Sequence, residues 1–594
     1  NKKADFQAIM KKHKVSEVLA RLLVNRNHEK VEEIETYLNP QFRYLHNPFL
    51  MKDMEKACNI ILAKIKEKKK IRIVGDYDVD GIASTYILYK TLLDFGAEVD
   101  YELPDRIKDG YGINQNIIEA AYQDGIDTIV TCDNGISALE QIKVAKSLGL
   151  TVIITDHHDI PFVREGDKIE YSIPIADAVV NPKQADCNYP WKNLCGAAVA
   201  YKLILALYEL SNRDKQAAYD LMEIVAIATV CDVMDLVDEN RILVKNGIEQ
   251  LRNTKNLGLK ALIELTNINL SKLTAYHLGF IIGPCLNASG RLDTAKTGLR
   301  LLLAKTNEEA IQIAQELKQL NDVRKDMTLE GLEEAILVIE NSDRQLDKVL
   351  VVYLENCHES LAGIIAGRLR ERYNKPAIVL TKADNEVKGS CRSIEQYNIY
   401  EELTKCKDLL LKFGGHPMAA GLALEYDKIE SLRTALNQNT ELSDDDLIPK
   451  IVIDIALPFG YVTEELVMEL ECLEPFGKGN QKPVFAERNL TIRKASIFGR
   501  NANVLKLLLV NEYGRIMDAV YFGNIDDFQQ CLIDSYGQEE VDKIFQNRDN
   551  SIRLSVTYYP SINEYGGKRS MQIIIQNYQV ATLNCLLSQG TISV

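Results

Sequence analysis

A chain of 594 residues is too long for one hydrophobic core and predicts three or four domains of roughly 150 residues each. Hydrophobic residues at 46% and charged residues at 26% are ordinary for a globular protein, and no apolar run approaches the roughly 18 residues that span a bilayer, so a membrane protein is not expected. The net charge of −15 excludes a generally basic surface, and any phosphate-binding footprint must therefore be local.

The first residues, NKKADFQAIMKKHK, are partly basic and contain no apolar leader-like stretch; the chain begins at Asn1 rather than Met, which leaves room for a few residues before it. Its twelve cysteines are scattered without a C-x-x-C pair, and the closest two, Cys187 and Cys195, are too far apart for a zinc knuckle. Free thiols and a cytoplasmic location are the expectation.

From about residue 70, short β-branched runs alternate with helical periods: IRIV, STYILYKTLLDFG, AEVDYELP, IDTIVTCD, VAKSLG and LTVIITDHH. Such alternation predicts a mostly parallel sheet with helices on its faces. Polar clusters fall at the strand ends, where open α/β sheets bind ligands: Asp76, Asp78 and Asp80 after IRIVG, Asp133 after IVT, and Asp156, His157 and His158 after VIIT.

The stretch DYDVDG, with Asp76, Asp78, Asp80 and Gly81, is half of a calcium-binding EF-hand loop, but the position of the closing Glu is taken by Ile87 and a strand-like run precedes it. Alternation along an extended segment would direct the three carboxylates to one side, where they repel unless a cation compensates them. By itself the stretch is equally compatible with a solvated acidic turn. Asp133, before Asn134 and Gly135, would alone read as a turn residue. Paired histidines directly after a buried strand are unusual as packing, and neutral imidazole is the commonest metal ligand. Asp232 closes the apolar run IVAIATVC and is favoured as a further ligand, with Asp235 as a rival. Aspartate oxygens with one or two imidazoles suit Mn²⁺ or Mg²⁺ better than zinc, and so many carboxylates suggest two ions. Hydrolysis of a phosphodiester or phosphoanhydride is the leading reaction class.

Residues 306–345 show sustained helical spacing and predict a long connector broken near Gly331. A second α/β unit follows, with the strand KVLVVYLE, the helix SLAGIIAGRLRERYN and the glycine-rich FGGHPMAAGLAL at 413–424. After EPFGKGNQKP, the stretches LTIRKASIF, VLKLLLVN, RIMDAVYFG, IRLSVTYYP and MQIIIQNYQ predict a small β-domain, a barrel.

Taken together, DYDVDG, CDNGIS, TDHH and CDVMDL resemble the four motifs of the DHH phosphoesterase superfamily. NPFLMKDMEKA, LPDRIKDGYGIN, IGPCLNASGRL, HESLAGIIAGRLRERYNKPAIVL, GSCRSI and FGGHPMAAGLAL are similar, in the same order over most of the chain, to the RecJ family of single-strand-specific exonucleases. The resemblance implies an α/β multidomain fold: a parallel-sheet DHH domain, a long helical connector, a second α/β DHH-associated domain and a C-terminal OB-like β-barrel. The implied boundaries are an N-terminal segment at 1–60, then 61–305, 306–345, 346–448 and 449–594. It makes Asp76, Asp78, Asp80, Asp133, His157 and Asp232 the ligands of Mn²⁺ or Mg²⁺, with Asp133 bridging. Asp133, Asp156, His157 and His158 form the catalytic group, and His158 faces the scissile phosphate. Substrate phosphate would be gripped by Gly414, Gly415, His416, Arg392 and Ser393, with Arg106 and Arg291 as further contacts. In the β-domain, Tyr558, Tyr559, Tyr565, Lys568 and Arg569 are the expected strand contacts. Cys285 and Cys357 stand where many relatives would carry Arg and Trp.

The activity implied is 5′ to 3′ exonuclease digestion of single-stranded DNA, releasing 5′ mononucleotides by two-metal-ion hydrolysis in repair and recombination. A helicase and a single-strand-binding protein are possible partners. Two rival readings are a DHH phosphodiesterase acting on short oligonucleotides or cyclic dinucleotides, and an inactive DHH-fold binding subunit. The long connector and terminal β-domain oppose the first, and the complete set of acidic and histidine residues opposes the second.

Overall fold

The computed structural model describes residues 2–581 except 166–167, 384–385, 500 and 566. It divides into two compact units, one of residues 46–234 and 246–450, the other of residues 1–45, 235–245 and 451–594. Among the described residues, no helix is long and apolar enough to cross a membrane.

In the first unit, strands β1 (Lys70–Val74), β2 (Glu98–Glu102), β3 (Thr128–Cys132), β4 (Thr151–Thr155) and β5 (Ala178–Val180) form a parallel sheet in the order β2-β1-β3-β4-β5. The central strands are buried along nearly their whole length, β3 throughout and β1 and β4 in all but their first residue, as a sheet covered by helices on both sides requires. Strand order reverses between β1 and β3, so their carboxyl ends open a crevice there. The helices Gly196–Leu210 and Met222–Cys231 are almost wholly apolar and almost wholly buried.

Helix Asn307–Glu340 runs unbroken for 34 residues, capped at its start by Thr306, whose hydroxyl accepts the N–H of Glu309. The break expected near Gly331 is absent. Gly331 stays helical because its missing side chain makes room for Ile365: a Cβ there would fall 2.7 Å from Ile365 Cδ1. The second sheet orders Lys412–His416, Ala419–Leu424, Val387–Arg392, Ala377–Lys382 and Leu350–Leu354, with only the last pair parallel.

In the other unit, Phe485–Phe498, Val504–Val510, Ile516–Tyr521, Lys568–Val580 and Arg553–Tyr565 pair in that order, and the last strand pairs back onto the first, closing a five-stranded barrel. Two helices absent from the strand-based expectation, Ile525–Tyr536 and Gln538–Phe545, lie between barrel strands in sequence. The helices Phe6–His13, Glu17–Asn25 and Val31–Leu38 share the barrel's core, with Leu19, Leu22 and Ile34 in one cluster with Leu490, Leu507 and Tyr558. Tyr558 and Tyr559, expected at the strand-binding surface, are core residues: Tyr558 is fully buried and donates to the Leu457 carbonyl, and Tyr559 lies under the ammonium of Lys482 at 3.8 Å. Arg569 is exposed and paired with Glu464 and Glu564, and the side chains of Tyr565 and Lys568 lie outside the described residues.

Buried Arg241 ties this unit together, donating to the carbonyls of Tyr37, Leu473 and Cys472 at 2.8–2.9 Å with its guanidinium 3.9 Å from the centre of the Tyr37 ring. Replacing it takes the guanidinium from the Tyr37 and Cys472 carbonyls, while the Leu473 carbonyl keeps the Asn480 amide at 2.8 Å. Arg241→Met is expected to destabilise the unit by about 3 kcal/mol, read as a fall in its urea midpoint; an unchanged midpoint would contradict this role.

Candidate metal centre

The chain passes from β1 into helix Val79–Asp94 so tightly that a Cβ on Gly81 would fall 2.4–2.6 Å from the backbone of Asp76. The three aspartates therefore do not alternate along an extended segment, as expected. Asp78 caps the helix, its Oδ1 accepting the N–H groups of Asp80 and Gly81, and Asp80 lies in the first helical turn. Asp80 instead reaches a second helix N-terminus, accepting the N–H groups of Gly196 and Ala197 at 2.6 and 2.7 Å. Unpaired amides and the positive end of the helix dipole both favour a carboxylate there.

Asp133 follows β3 in a left-handed backbone, φ 62°, which the short polar side chain tolerates. Next to it, the buried Asn134 amide donates to the Val74 and Cys132 carbonyls and accepts from Ile113 N–H, locking the ends of β1 and β3 together. After β4, Asp156 is buried and accepts the N–H groups of Ile136, His157 and His158, while a ring nitrogen of His158 lies 2.7 Å from its Oδ1. Asp232 caps the C-terminus of Met222–Cys231, where the helix dipole disfavours a negative charge. Its rival Asp235 pairs with Lys478 and joins none of the clusters described next.

Three groups of side chains have candidate ligand atoms within 4.8 Å of one another: Asp76, Asp78 and Asp133; Asp80, His157 and Asp232; and Asp133, His157 and His158. Nε2 of His157 stands 3.1 Å from Asp133, 3.7 Å from Asp80 and 3.8 Å from Asp232. Among the described residues, Asp133 Oδ1 and Asp232 Oδ2 are buried with no hydrogen-bond partner, an arrangement costing about 1–3 kcal/mol per atom unless another donor or a cation supplies the contact. Burial and then the charge of Asp78 push the Asp76 carboxyl up to about 8 and that of Asp80 up to about 6. Burial and the charge of Asp80 raise Asp133 and Asp232 well above the carboxylate range. Burial, with the charge of His158, lowers His157 to about 3, so the ring is neutral and one nitrogen has a lone pair to offer a metal. Asp156 and His158 behave oppositely. Burial opposes both charges, but their mutual hydrogen bond and attraction outweigh it, holding Asp156 down at about 2 and His158 up at about 9. Hard carboxylate oxygens with one neutral imidazole fit Mn²⁺ or Mg²⁺.

The description "DHH family, N-terminal domain" matches residues 70–229, "DHHA1 domain" residues 346–441 and "RecJ OB domain" residues 453–577. The chain is 35% identical to the single-stranded-DNA-specific exonuclease RecJ of Bacillus subtilis, over 96% of this chain and 68% of that one. It is 34% identical to the protein of that name from Escherichia coli, over 94% and 95%. The chain belongs to the RecJ family. A crystal structure of RecJ with Mn²⁺ from Thermus thermophilus superposes with a TM-score of 0.79 at 24% identity, covering 97% of this chain and 77% of that one. A manganese-bound exonuclease RecJ structure superposes at 0.57 with 28% identity, covering 67% and 98%.

In this RecJ-family chain a pocket of about 480 Å³ is lined by Arg106, Lys388, Ser390, Lys412, Phe413 and Gly414 among others. Arg106 lies over the Tyr77 ring at 3.9 Å and donates to the Gly290 carbonyl. Arg291 donates to the Ser360 carbonyl, and burial with the charges of Arg106 and Arg324 lowers it to about 10. Gly415 has φ 153° and lies against Ala419 and Ala420, where no Cβ fits. His416 is exposed. One expected contact is displaced: Ser393 is buried and donates to the Tyr397 carbonyl, so Ser390 takes the pocket position. Arg392, on the same strand face as Ser390, packs beside Gly363 with one amino group on the Cys391 carbonyl. Cys285 is buried and accepts from the Asn321 amide of the long helix, while Cys357 is half-buried.

Sequence reasoning also missed Tyr111, whose hydroxyl donates to the Asp133 carbonyl and stands 3.1 Å from the His158 ring. The only signal was its place between two glycines, Gly110 and Gly112, both in left-handed backbone.

Metal removal gives a direct test. With chelator, Asp133→Asn should melt higher than wild type, because one buried charge is gone and Asn also tolerates the left-handed backbone. With Mn²⁺ in hundredfold excess over its Kd, wild type should gain about 2.7 kcal/mol and the variant much less. Equal Mn²⁺-induced shifts in the two proteins would remove Asp133 from the centre.

Proposed function

We propose that the chain is a single-stranded-DNA-specific exonuclease, digesting 5′ to 3′ and releasing 5′ mononucleotides in DNA repair and recombination. The observation that carries this reading is the pair of orphaned buried carboxylate oxygens, Asp133 Oδ1 and Asp232 Oδ2, beside Nε2 of His157, in a chain whose family is that of single-stranded-DNA-specific exonucleases. Asp76, Asp78 and Asp133 would hold one ion and Asp80, His157 and Asp232 a second, with Asp133 between them. When bound, two Mn²⁺ or Mg²⁺ ions supply Lewis acidity to the phosphoryl group and make water a better nucleophile.

The chain's own groups do the rest. Asp156 orients His158 and keeps it protonated, so its ring can stabilise the charge that develops on phosphate or give a proton to the departing 3′ oxygen. Tyr111 braces the Asp133 loop and the His158 ring together. Arg106 is the cation that would seat a phosphate in this pocket of a chain of net charge −15, with Lys388 and Lys412, which pair with Glu359 and Glu386, able to exchange those partners for it. The OB-fold barrel supplies a further single-strand-binding surface, and a helicase and a single-strand-binding protein fit as partners in the cytoplasm.

Digestion of strands labelled at either end, with and without chelator, tests direction and metal dependence together. The expected result is Mn²⁺-dependent release of mononucleotides from the 5′ end only; equal or faster turnover of a dinucleotide would favour the small-substrate phosphodiesterase reading. His158→Ala should lower kcat about a hundredfold with little change in KM. A change confined to KM would give His158 a binding role instead.

A further inference from the structure

Beside the metal centre, the carboxyl end of β5 presents a lysine. β4 and β5 pair in parallel with Thr155 opposite Val180, and the Asp156 N–H donates to the Val180 carbonyl, so the residues after β5 lie beside those after β4. The chain there reads Asn181-Pro182-Lys183-Gln184, with Asn first and Pro second as a β-turn favours. The Gln184 N–H closes the turn on the Asn181 carbonyl at 3.4 Å. Two buried amide side chains brace it. Asn181 accepts the Lys183 N–H at 2.8 Å and donates to the His158 carbonyl at 2.9 Å, while Gln184 donates to the Val179 and Asn181 carbonyls. One side chain thus ties the backbone of Lys183 to that of His158.

The Lys183 ammonium lies 2.8 Å from Oδ1 of Asp159, the residue after His158. The Lys183 side chain is 24% exposed and that of Asp159 65%. An ion pair so open to solvent contributes little to stability and exchanges readily. The charge of Lys183 is also felt inside the centre: burial and the charges of Asp80 and Asp78 raise the Asp232 carboxyl, and the cations that act against them are His158 and Lys183. A cation with a weakly held partner therefore stands beside the residues that face the scissile phosphate.

We propose that Lys183 is a substrate-binding residue of the metal centre, its ammonium leaving Asp159 to bind a non-bridging oxygen of the scissile phosphate on the side of His158. The proposal rests on the exonuclease reading above. Phosphate is the occupant the chemistry favours, because a phosphodiester brings one more negative charge to a cluster of five carboxylates and needs cations to meet it. An ammonium on a flexible four-carbon stem takes a phosphate oxygen as a point charge, without the planar fit a guanidinium requires. The braced turn supplies position, and the stem supplies reach. Asp159 is the resting partner, and it competes with the phosphate for the same ammonium.

The test is steady-state digestion of an oligodeoxythymidine at saturating Mn²⁺ by wild type, Lys183→Met, Lys183→Arg and Asp159→Asn. Lys183→Met should lower kcat/KM about tenfold or more, as loss of a hydrogen bond to a charged group does, and Lys183→Arg should restore most of it. Asp159→Asn frees the lysine and should equal or exceed wild type. A plot of log kcat/KM against log salt should be shallower by about 0.7 in Lys183→Met, the share of one phosphate contact on a single strand, and unchanged in Asp159→Asn. A purely structural ion pair predicts instead that Lys183→Met and Asp159→Asn fall alike. That result, or an unchanged salt slope in Lys183→Met, would overturn the proposal. So would a Lys183→Met defect cured by more Mn²⁺, which would make the lysine a neutraliser of the carboxylates. Melting curves in chelator identify a misfolded Lys183→Met, and the exposed Asp159→Asn then decides, since a tenfold loss there contradicts the proposal. Failure of the exonuclease reading is distinct: wild type itself would then not digest the strand with Mn²⁺, and the proposal would fall with it.

Discussion

Five aspartates converge with one imidazole in a space from which most water is excluded, and their mutual repulsion is the constraint around which the first unit is arranged. Burial raises the carboxyl groups of Asp76, Asp80, Asp133 and Asp232 together, so the cluster is stable in its charged form only around cations. The chain does part of the compensation itself. Asp80 is held by the amides of Gly196 and Ala197 at a helix N-terminus, and Asp78 by the amides it caps. No comparable partner serves Asp133 Oδ1 or Asp232 Oδ2, and Asp232 also sits at the wrong end of its helix. What these two lack, a divalent cation would supply.

Close packing delivers the carboxylates to that point. Gly81 lets the first helix start almost on top of β1, and Gly196 has no side chain because a Cβ would fall 2.6 Å from that of Asp133. Asp156 stands apart from the cluster in function and in charge. Its hydrogen bonds are saturated, it remains ionised, and it fixes the orientation and proton of His158. Two buried carboxylates near each other, Asp133 and Asp156, thus take opposite roles because their partners differ.

The parallel sheet, the second α/β unit and the barrel were legible from hydrophobic periodicity, since each strand's burial follows its own alternation or run. The polar clusters at strand ends located the centre, because Asp133 and Asp156 follow β3 and β4 directly and Asp76 follows β1 after one glycine. Side-chain direction within DYDVDG was not legible: the strand period of two ends at Asp76, and from Asp78 onward the helix period decides where each carboxylate points. A similar parity explains the serine. In Val387–Arg392 the half-exposed positions are 388, 390 and 392, so Ser390 faces the pocket and Ser393 turns inward. Gly331 and Tyr558 misled for one reason, that local composition does not say whether a neighbouring chain segment will occupy a gap or cover a ring. The contacts of Tyr111 with Asp133 and His158 join segments distant in sequence, and nothing local announced them.

The central claim is that cations hold this carboxylate cluster together, and counting bound Mn²⁺ by electron paramagnetic resonance tests it most directly. The account predicts two ions per chain in the wild type, magnetically coupled through a shared Asp133, and loss of that coupling in Asp133→Asn. Binding of Mn²⁺ that is indifferent to replacement of Asp133 and of His157 would contradict it.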